Sequence, residues 1–427
     1  MLEARFHLSS LAILLPSRPL QWVVDRPKSF LSASAYALYA HFALQLLAGV
    51  LLAIVYRPVA AGAHASTEAM HQGAWRILQG FHYWGSAVMI VHSALHLAAL
   101  TWAGWYRGPQ VRSYLAALAL AGLSVGFQIT GNALPWDRHG VQTAAVEGAI
   151  ASRVPVVGAT ASKVMLGGDA LTDATLPIWY NAHRILLPIA LLVALGLGLS
   201  APRKKAAGWV IAAPAVAALL LAIFIASPLG TSATAADYGR FDAKPSWYTV
   251  PIHGLLVWGD RLVPGGGWIG AALIPALFGL GLLVLPLLKK PKPALARGLL
   301  LGFGGLGAVA AITSGSHFAP LVGTRDPRVR TIVANQRNQG KQDTILAAKG
   351  KELYTSQGCI GCHGSETVKG TGGPSLKDVW KEHPEADYYM RYVKKPSAVE
   401  PGSTMPAFPN LKTEELRALA EFLRFAR

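Results

Sequence analysis

Seven apolar stretches, near residues 34–55, 76–104, 112–132, 178–200, 208–227, 267–288 and 297–315, set the terms on which this chain can fold. Each is close to the roughly 20 residues a helix needs to cross a bilayer, and lipid leaves the backbone no partner but itself, so the expected fold is an all-α, polytopic bundle of about seven spans. A chain of 427 residues with 52% apolar and 14% charged side chains fits that class and no soluble one. Lys and Arg outnumber Asp and Glu by 39 to 22, for a net charge of +17. Such an excess can signal nucleic acid, but here part of it falls in short loops: Arg107 and Arg112 after the second run, Arg203, Lys204 and Lys205 after the fourth, Lys289, Lys290, Lys292 and Arg297 after the sixth. This is the positive-inside pattern. It places the amino terminus inside and everything after about residue 316 outside, with no nucleic-acid role. Residues 1–30 lack the form of a cleaved signal peptide, because "LAILLP" is short and is followed by Arg18, Arg26 and Lys28. They read as an amphipathic segment on the inner surface.

The apolar runs stop after 315. Residues 316–344, with "RDPRVR" and "NQRNQGKQD", read as a linker, and 345–427 as a small separate domain. The chain's two cysteines, Cys359 and Cys362, lie in "CIGCH". That spacing is a c-type haem attachment signal: two thiols three positions apart on a helical turn reach both vinyl groups of one haem, and His363 then faces the iron. A zinc knuckle or redox dithiol could use the same thiols, but no second ligand pair follows. "AKGKELYTSQG" and "TEELRALAEFLRFA" supply flanking amphipathic helices. Met405 in "STMPAF" is favoured as sixth ligand over Met390, which lies in the buried-looking stripe "YYMRYV". The whole tail resembles a class I cytochrome c, and by that resemblance Pro374 in "GGPSL" belongs to the segment that orients the haem histidine. Haem of this kind is attached outside the cytoplasmic membrane, in agreement with the topology read from charge.

Histidines inside spans are costly and usually functional. His82 and His96, fourteen residues apart, share one helix face about 21 Å apart along the axis. Their surroundings, "YRPVAAGAHAS" and "FHYWGSAV", together with "TGNALPWD", "VPVVG", "MLGGDALTDATL" and "KPSWYTVP", occur in the order of cytochrome b from bc-type quinol-oxidising complexes, and residues 30–315 resemble that family throughout. The resemblance implies two histidine pairs between the second and fourth spans. His82 pairs with His183 on the outer side. His96 would be the inner ligand, but its partner position is Leu197 or Gly198. The family's haems also press against small residues on the first and third spans. The outer pair is present as Gly49 and Gly131; the inner positions are Ala35 and Ala117. One haem b is therefore expected, with the inner haem absent. His41 could ligate an inner haem, but it lies about 80° around its helix from Gly49, so it reads as a hydrogen-bonded helix residue, as does His92.

Family members oxidise quinol at the outer face with the help of a glutamate in Pro-Glu-Trp-Tyr, because a quinol gives up its second electron only after losing a proton. Here the segment is Pro245-Ser246-Trp247-Tyr248. Ser246 does not titrate usefully near neutral pH, which leaves Glu147 on the opposite loop helix as the expected base, with Tyr248 beside it. His253 and Asp242 are weaker alternatives, and His139 has no readable role.

Two functions follow. The first is a fused cytochrome b and c subunit that moves electrons from quinol, through the outer haem b or a separate Rieske iron–sulfur partner, to haem c and a soluble c-type acceptor, without a full quinone cycle. The second is a relay between a partner dehydrogenase and haem c with no quinol chemistry. Both imply a bacterial inner-membrane protein in contact with lipid, in a complex with other redox subunits, and the resemblance implies a dimer.

Overall fold

The computed structural model describes residues 26–200, 207–233, 237, 246–263, 266–289, 291–314, 345–365, 369–376, 379, 383 and 386–425. The expected surface segment before Arg26, the linker, Pro245 and Asp242 lie outside these residues. In the membrane part the helices are α1 (Pro27–Ala53), α2 (Ala60–Met70), α3 (Trp75–Trp102), α4 (Val111–Ala133), α5 (Arg138–Ser152), α6 (Gly158–Leu166), α7 (Thr175–Leu199), α8 (Gly208–Phe224), α9 (Val250–Leu262), α10 (Ile269–Leu287) and α11 (Pro293–Ser314). Among the described residues the β pairing is one isolated bridge, Asp137 with Ser232.

Six of these helices, α1, α3, α4, α7, α10 and α11, are long and apolar enough to span a bilayer. The expected seventh, α8, is shorter: 17 residues, or about 25 Å at 1.5 Å per residue. It ends because Ile225 turns to extended backbone. Its last carbonyls are taken by α3 side chains, with Arg76 Nη2 donating to Ile223 O at 3.1 Å and Trp84 Nε1 to Ile225 O at 2.8 Å. Such contacts satisfy acceptors that a helix end leaves open. The described chain thus has six full-length spans and one short apolar helix packed on α1 and α3.

α3 packs against α1 and α4, and α7 packs against α4 and α1. This arrangement puts α3 and α7 on opposite sides of the bundle centre. α7 contains one π turn, Ala182–Leu186, with Leu187 N donating to Ala182 O. Pro188 explains it: proline has no N–H to give back to Arg184 and its ring crowds that carbonyl, so the turn widens. The same pattern recurs in α10, where the π turn Ile269–Leu273 precedes Pro275. π turns of this kind collect at functional positions, and the one in α7 holds His183.

The loop helices are fixed by polar ties. Asp137 caps α5, accepting from Gly140 N at 2.7 Å, and its other oxygen accepts from Gly230 N at 2.7 Å. Arg153, fully buried at the end of α5, meets Asp260 of α9 at 2.5 Å; removing one partner of such a pair typically costs about 3–5 kcal/mol. In "VPVVG", Val156 stands fully exposed at φ 68, a conformation a β-branched residue rarely adopts.

The tail packs α12 (345–356), α13 (Cys359–His363), α14 (Ala386–Lys394) and α15 (Thr413–Phe425) around Tyr354, Tyr389, Leu419, Ala420 and Leu423. Leu416, Leu419, Ala420 and Leu423 form the i, i+3, i+4, i+7 stripe of a one-sided helix. The first and last helices touch at Gly350, where a Cβ would lie 2.0 Å from Ala418 O.

Candidate functional site

His82 of α3 and His183 of α7 face each other with ring centroids 6.2 Å apart and planes at 77°. Two imidazoles on opposite sides of one metal, with metal–nitrogen bonds of 2.0–2.1 Å, place their ring centres about 6.3 Å apart. The gap between the two rings is thus the width of one ion. Thr130 Oγ1 lies 2.9 Å from His183 Nδ1 and itself donates to Gly126 O at 2.8 Å. With its proton committed there, the hydroxyl accepts from Nδ1–H, which leaves the His183 Nε2 lone pair for a metal. His82 Nδ1 is buried with no hydrogen-bond partner among the described residues.

Gly49 of α1 and Gly131 of α4 lie on the flanks. A Cβ on Gly49 would come within 3.2 Å of His82 Cε1, and one on Gly131 within 3.0 Å of His183 Cε1. Both glycines thus let a helix backbone come close to the side of an imidazole. Around them is a cavity of about 350 Å³ whose wall includes Phe42, Gln45, Gln79, Tyr83, Gln128 and Asn132. The residues present fit a haem: two opposed imidazoles at metal distance, mostly apolar walls, and one fixed tautomer.

The same helices look different toward the end that carries Ala35 and His96. Ala35, Leu38, Tyr39, Phe42, Met89, Leu120, Leu191, Ala194 and Leu195 form a continuous buried cluster. Gly198, where the second inner ligand would stand, packs under Tyr39: a Cβ there would lie 2.4 Å from the phenol oxygen. His96 Nδ1 and His92 Nε2 both lie 3.0 Å from Ser34 Oγ, and His41 Nε2 lies 3.3 Å from Gln45 Nε2. His96 Nε2 has no partner among the described residues.

Of the quinol-side residues, Ser246 caps the turn that opens α9, its carbonyl accepting from Thr249 N and Oγ1 at 2.8 Å each. Tyr248 comes within reach of Asn132 and Tyr83, which line the cavity, and burial pushes its phenol up to about 12. Asn132 accepts from Gln128 Nε2 at 2.6 Å, and Gln128 Oε1 accepts from Ser86 at 2.8 Å. This polar seam escaped sequence reading; the signal for it was polar residues at helical spacing beside Gly131 in an otherwise apolar span. Glu147 lies elsewhere. It sits mid-α5, has no hydrogen-bond or ion-pair partner among the described residues, and is not part of the cavity wall. Part of its side chain meets open space, yet its carboxyl is deep enough among protein atoms that desolvation lifts it to about 7. His253, bonded through Nδ1 to Thr249 O at 3.1 Å, is lowered by burial.

In the tail, His363 Nδ1 donates to the carbonyl of Pro374 at 2.9 Å. The approach needs Gly373, where a Cβ would lie 2.6 Å from that nitrogen. Cys359 and Cys362 are free thiols on the same short helix. Met405 is half-buried in an extended loop; its N–H reaches Ser403 Oγ at 3.4 Å, and that oxygen is held by Tyr392 at 3.0 Å. Met390 packs instead on the tail's core. The donor set fits a covalently held haem with Met405 the available distal sulfur.

Residues 87–228 match the family profile of cytochrome b (N-terminal)/b6/petB, and residues 346–423 that of cytochrome c oxidase, cbb3-type, subunit III. Cytochrome b6 of Desmonostoc sp. (strain PCC 7906) is 29% identical over 150 residues, 34% of this chain and 69% of that protein. Cytochrome b6 of Synechococcus elongatus is 28% identical over 155 residues, 36% and 72% of the two chains. Among solved structures, a chain of a hyperthermophilic respiratory complex III is similar at 19% identity and a TM-score of 0.47, over 66% of this chain and 89% of that one.

Proposed function

We propose that this multi-pass membrane protein, whose residues 87–228 match the cytochrome b (N-terminal)/b6/petB profile and residues 346–423 that of cytochrome c oxidase, cbb3-type, subunit III, is an electron-transfer subunit of a quinol-oxidising complex. It carries one haem b, between His82 and His183, and one covalent haem c on Cys359, Cys362 and His363, with Met405 completing the iron. Each haem, when bound, supplies a one-electron carrier.

The chain's own residues do the rest. Thr130 and the carbonyl of Pro374 each hold a proton on Nδ1 of a ligand histidine, so that Nε2 is the coordinating atom. Gly49 and Gly131 keep the rings upright. Tyr248, protonated at every physiological pH, offers a phenol O–H within reach of Asn132 and Tyr83. Glu147, poised near neutrality, accepts the quinol proton that Ser246 cannot take. The packed inner half supports a single haem b and, with it, the absence of a full quinone cycle. The observation that carries the reading is the 6.2 Å separation of His82 and His183.

The subunit works in a bacterial inner membrane, with its amino terminus in the cytoplasm and its tail outside, passing electrons to a soluble c-type acceptor. A Rieske-type partner would be a separate polypeptide, since both cysteines are committed to haem c, and dimers follow the family habit. A second reading, a relay from a partner dehydrogenase without quinol chemistry, is favoured by one observation: Glu147 touches neither Ser246 nor Tyr248 in any described contact. Quinol oxidation by the purified complex, blocked by outer-site inhibitors, tests the choice; a preparation that holds no quinone and ignores such inhibitors leaves the relay.

A further inference from the structure

One wall of the cavity carries a hydrogen-bonded chain that the haem ligands do not use. Gln79 of α3 and Thr67 of α2 both line the cavity. The Ser227 hydroxyl donates to Gln79 Oε1 and lies 3.1 Å from His71 Nε2, while His71 Nδ1 lies 2.8 Å from the Thr67 carbonyl. Ser227 is buried, 6% exposed, whereas His71, the last residue of the α2 turn, is half-buried and reaches the surface.

The proton count in this chain is restrictive. A carbonyl only accepts, so His71 Nδ1 bears a hydrogen in every state. Ser227 has one hydrogen. If it goes to Gln79 Oε1, the serine oxygen is free to accept from His71 Nε2, and the ring is then an imidazolium. If His71 is neutral, Nε2 is an acceptor and Ser227 must donate to it. Gln79 then keeps its bond to Ser227 only by turning its NH2 toward the serine, which swings its carbonyl toward the cavity. One proton on His71 therefore decides whether the cavity wall presents donors or an acceptor at Gln79.

We propose that His71, Ser227 and Gln79 form a proton-responsive relay that reports the charge of a surface-reaching imidazole to the wall of the His82–His183 cavity. The inference rests on the haem reading above and adds positioning residues to it. Charged and titratable side chains near this end of the surrounding elements are Glu68 and His64 on α2 and Arg76, His82 and Tyr83 on α3. Glu68 is exposed, His64 Nε2 is bonded to Gly230 O at 2.8 Å, and Arg76 is committed to Ile223 O. Residues 225–233, which contribute Ser227, include no charged side chain. Beside these, His71 is the group joined by hydrogen bonds to Ser227 and through it to Gln79 of the cavity wall.

A cation and its donors beside the cavity favour electron uptake there, so the haem b midpoint should fall as pH rises and the His71 ring gives up its proton. Redox titration of the full-length protein between pH 5.5 and 8 reads this directly. The expected wild-type dependence is at most 59 mV for each tenfold change in proton concentration, the limit for a one-electron couple. Ser227→Ala and His71→Gln should flatten it while leaving the haem c midpoint and the b-to-c ratio unchanged. A wild-type midpoint that ignores pH overturns the relay, and so does an unaltered dependence in Ser227→Ala. Should His71→Gln fail to assemble, those two measurements still decide. A preparation whose spectrum contains no b-type haem at all overturns instead the assignment on which the relay stands.

Discussion

The outer and inner halves of the four-helix core, α1, α3, α4 and α7, are built on one repeat of fourteen residues and end in opposite states. Outside, Gly49 and Gly131 flank His82 and His183, and the helices part around a cavity of about 350 Å³. Inside, the equivalent positions are Ala35 and Ala117, both nearly inaccessible, and the space is filled by Leu38, Tyr39, Leu120 and Leu195. Tyr39 presses on bare backbone at Gly198. A close-packed apolar core tolerates few voids, and the half that carries alanines at these positions is filled by side chains. The difference teaches that a cofactor site in a bundle is as much a matter of small flanking residues as of ligands.

The sharpest way to break the contrast is to remove an outer ligand. His183→Leu should abolish the b-type absorbance completely while the c-type band survives, since the tail has its own core and ligands; retained b absorbance would show that the pair is misassigned. Next in size is Glu147→Gln. A base must be ionised to act, so with its carboxyl lifted to about 7 the wild-type turnover should rise with pH through neutrality. The amide variant should lose about a hundredfold and show no such rise. Gly131→Val should expel most of the haem b by driving a branched side chain into the His183 ring. Ala117→Val, its inner counterpart, should leave haem content alone and cost about 1–3 kcal/mol in a thermal or denaturant melt through overpacking. Thr130→Val removes one hydrogen bond from His183 Nδ1, and weaker haem retention, of order tenfold, is expected from dissociation measurements. The smallest effect is on the inner side: His96→Leu should leave the b-type spectrum as it was.

Much of this was legible in the residues. The helical spans, the facing of His82 and His183 and the helix that carries Cys359, Cys362 and His363 follow from spacing, because a helix converts a residue count into a fixed face and depth. Three things were not. The seventh span is short because Ile225 turns extended to meet Trp84 and the loop held by Asp137, contacts between distant segments. That Gly49 and Gly131 come up against the imidazoles of His82 and His183 was not readable either, since what a bare helix face meets depends on how α1 and α4 pack, not on their own pattern. Gln79, Ser227 and His71 come from three separate stretches, and nothing local marks any of them as belonging together.

The contrast between the two halves is decided most directly by a pyridine haemochrome assay on the purified full-length protein, with total iron measured alongside. The account predicts one b-type haem for each c-type haem and two irons per chain. Two b-type haems per c-type, with iron found at the depth of His96, would contradict it.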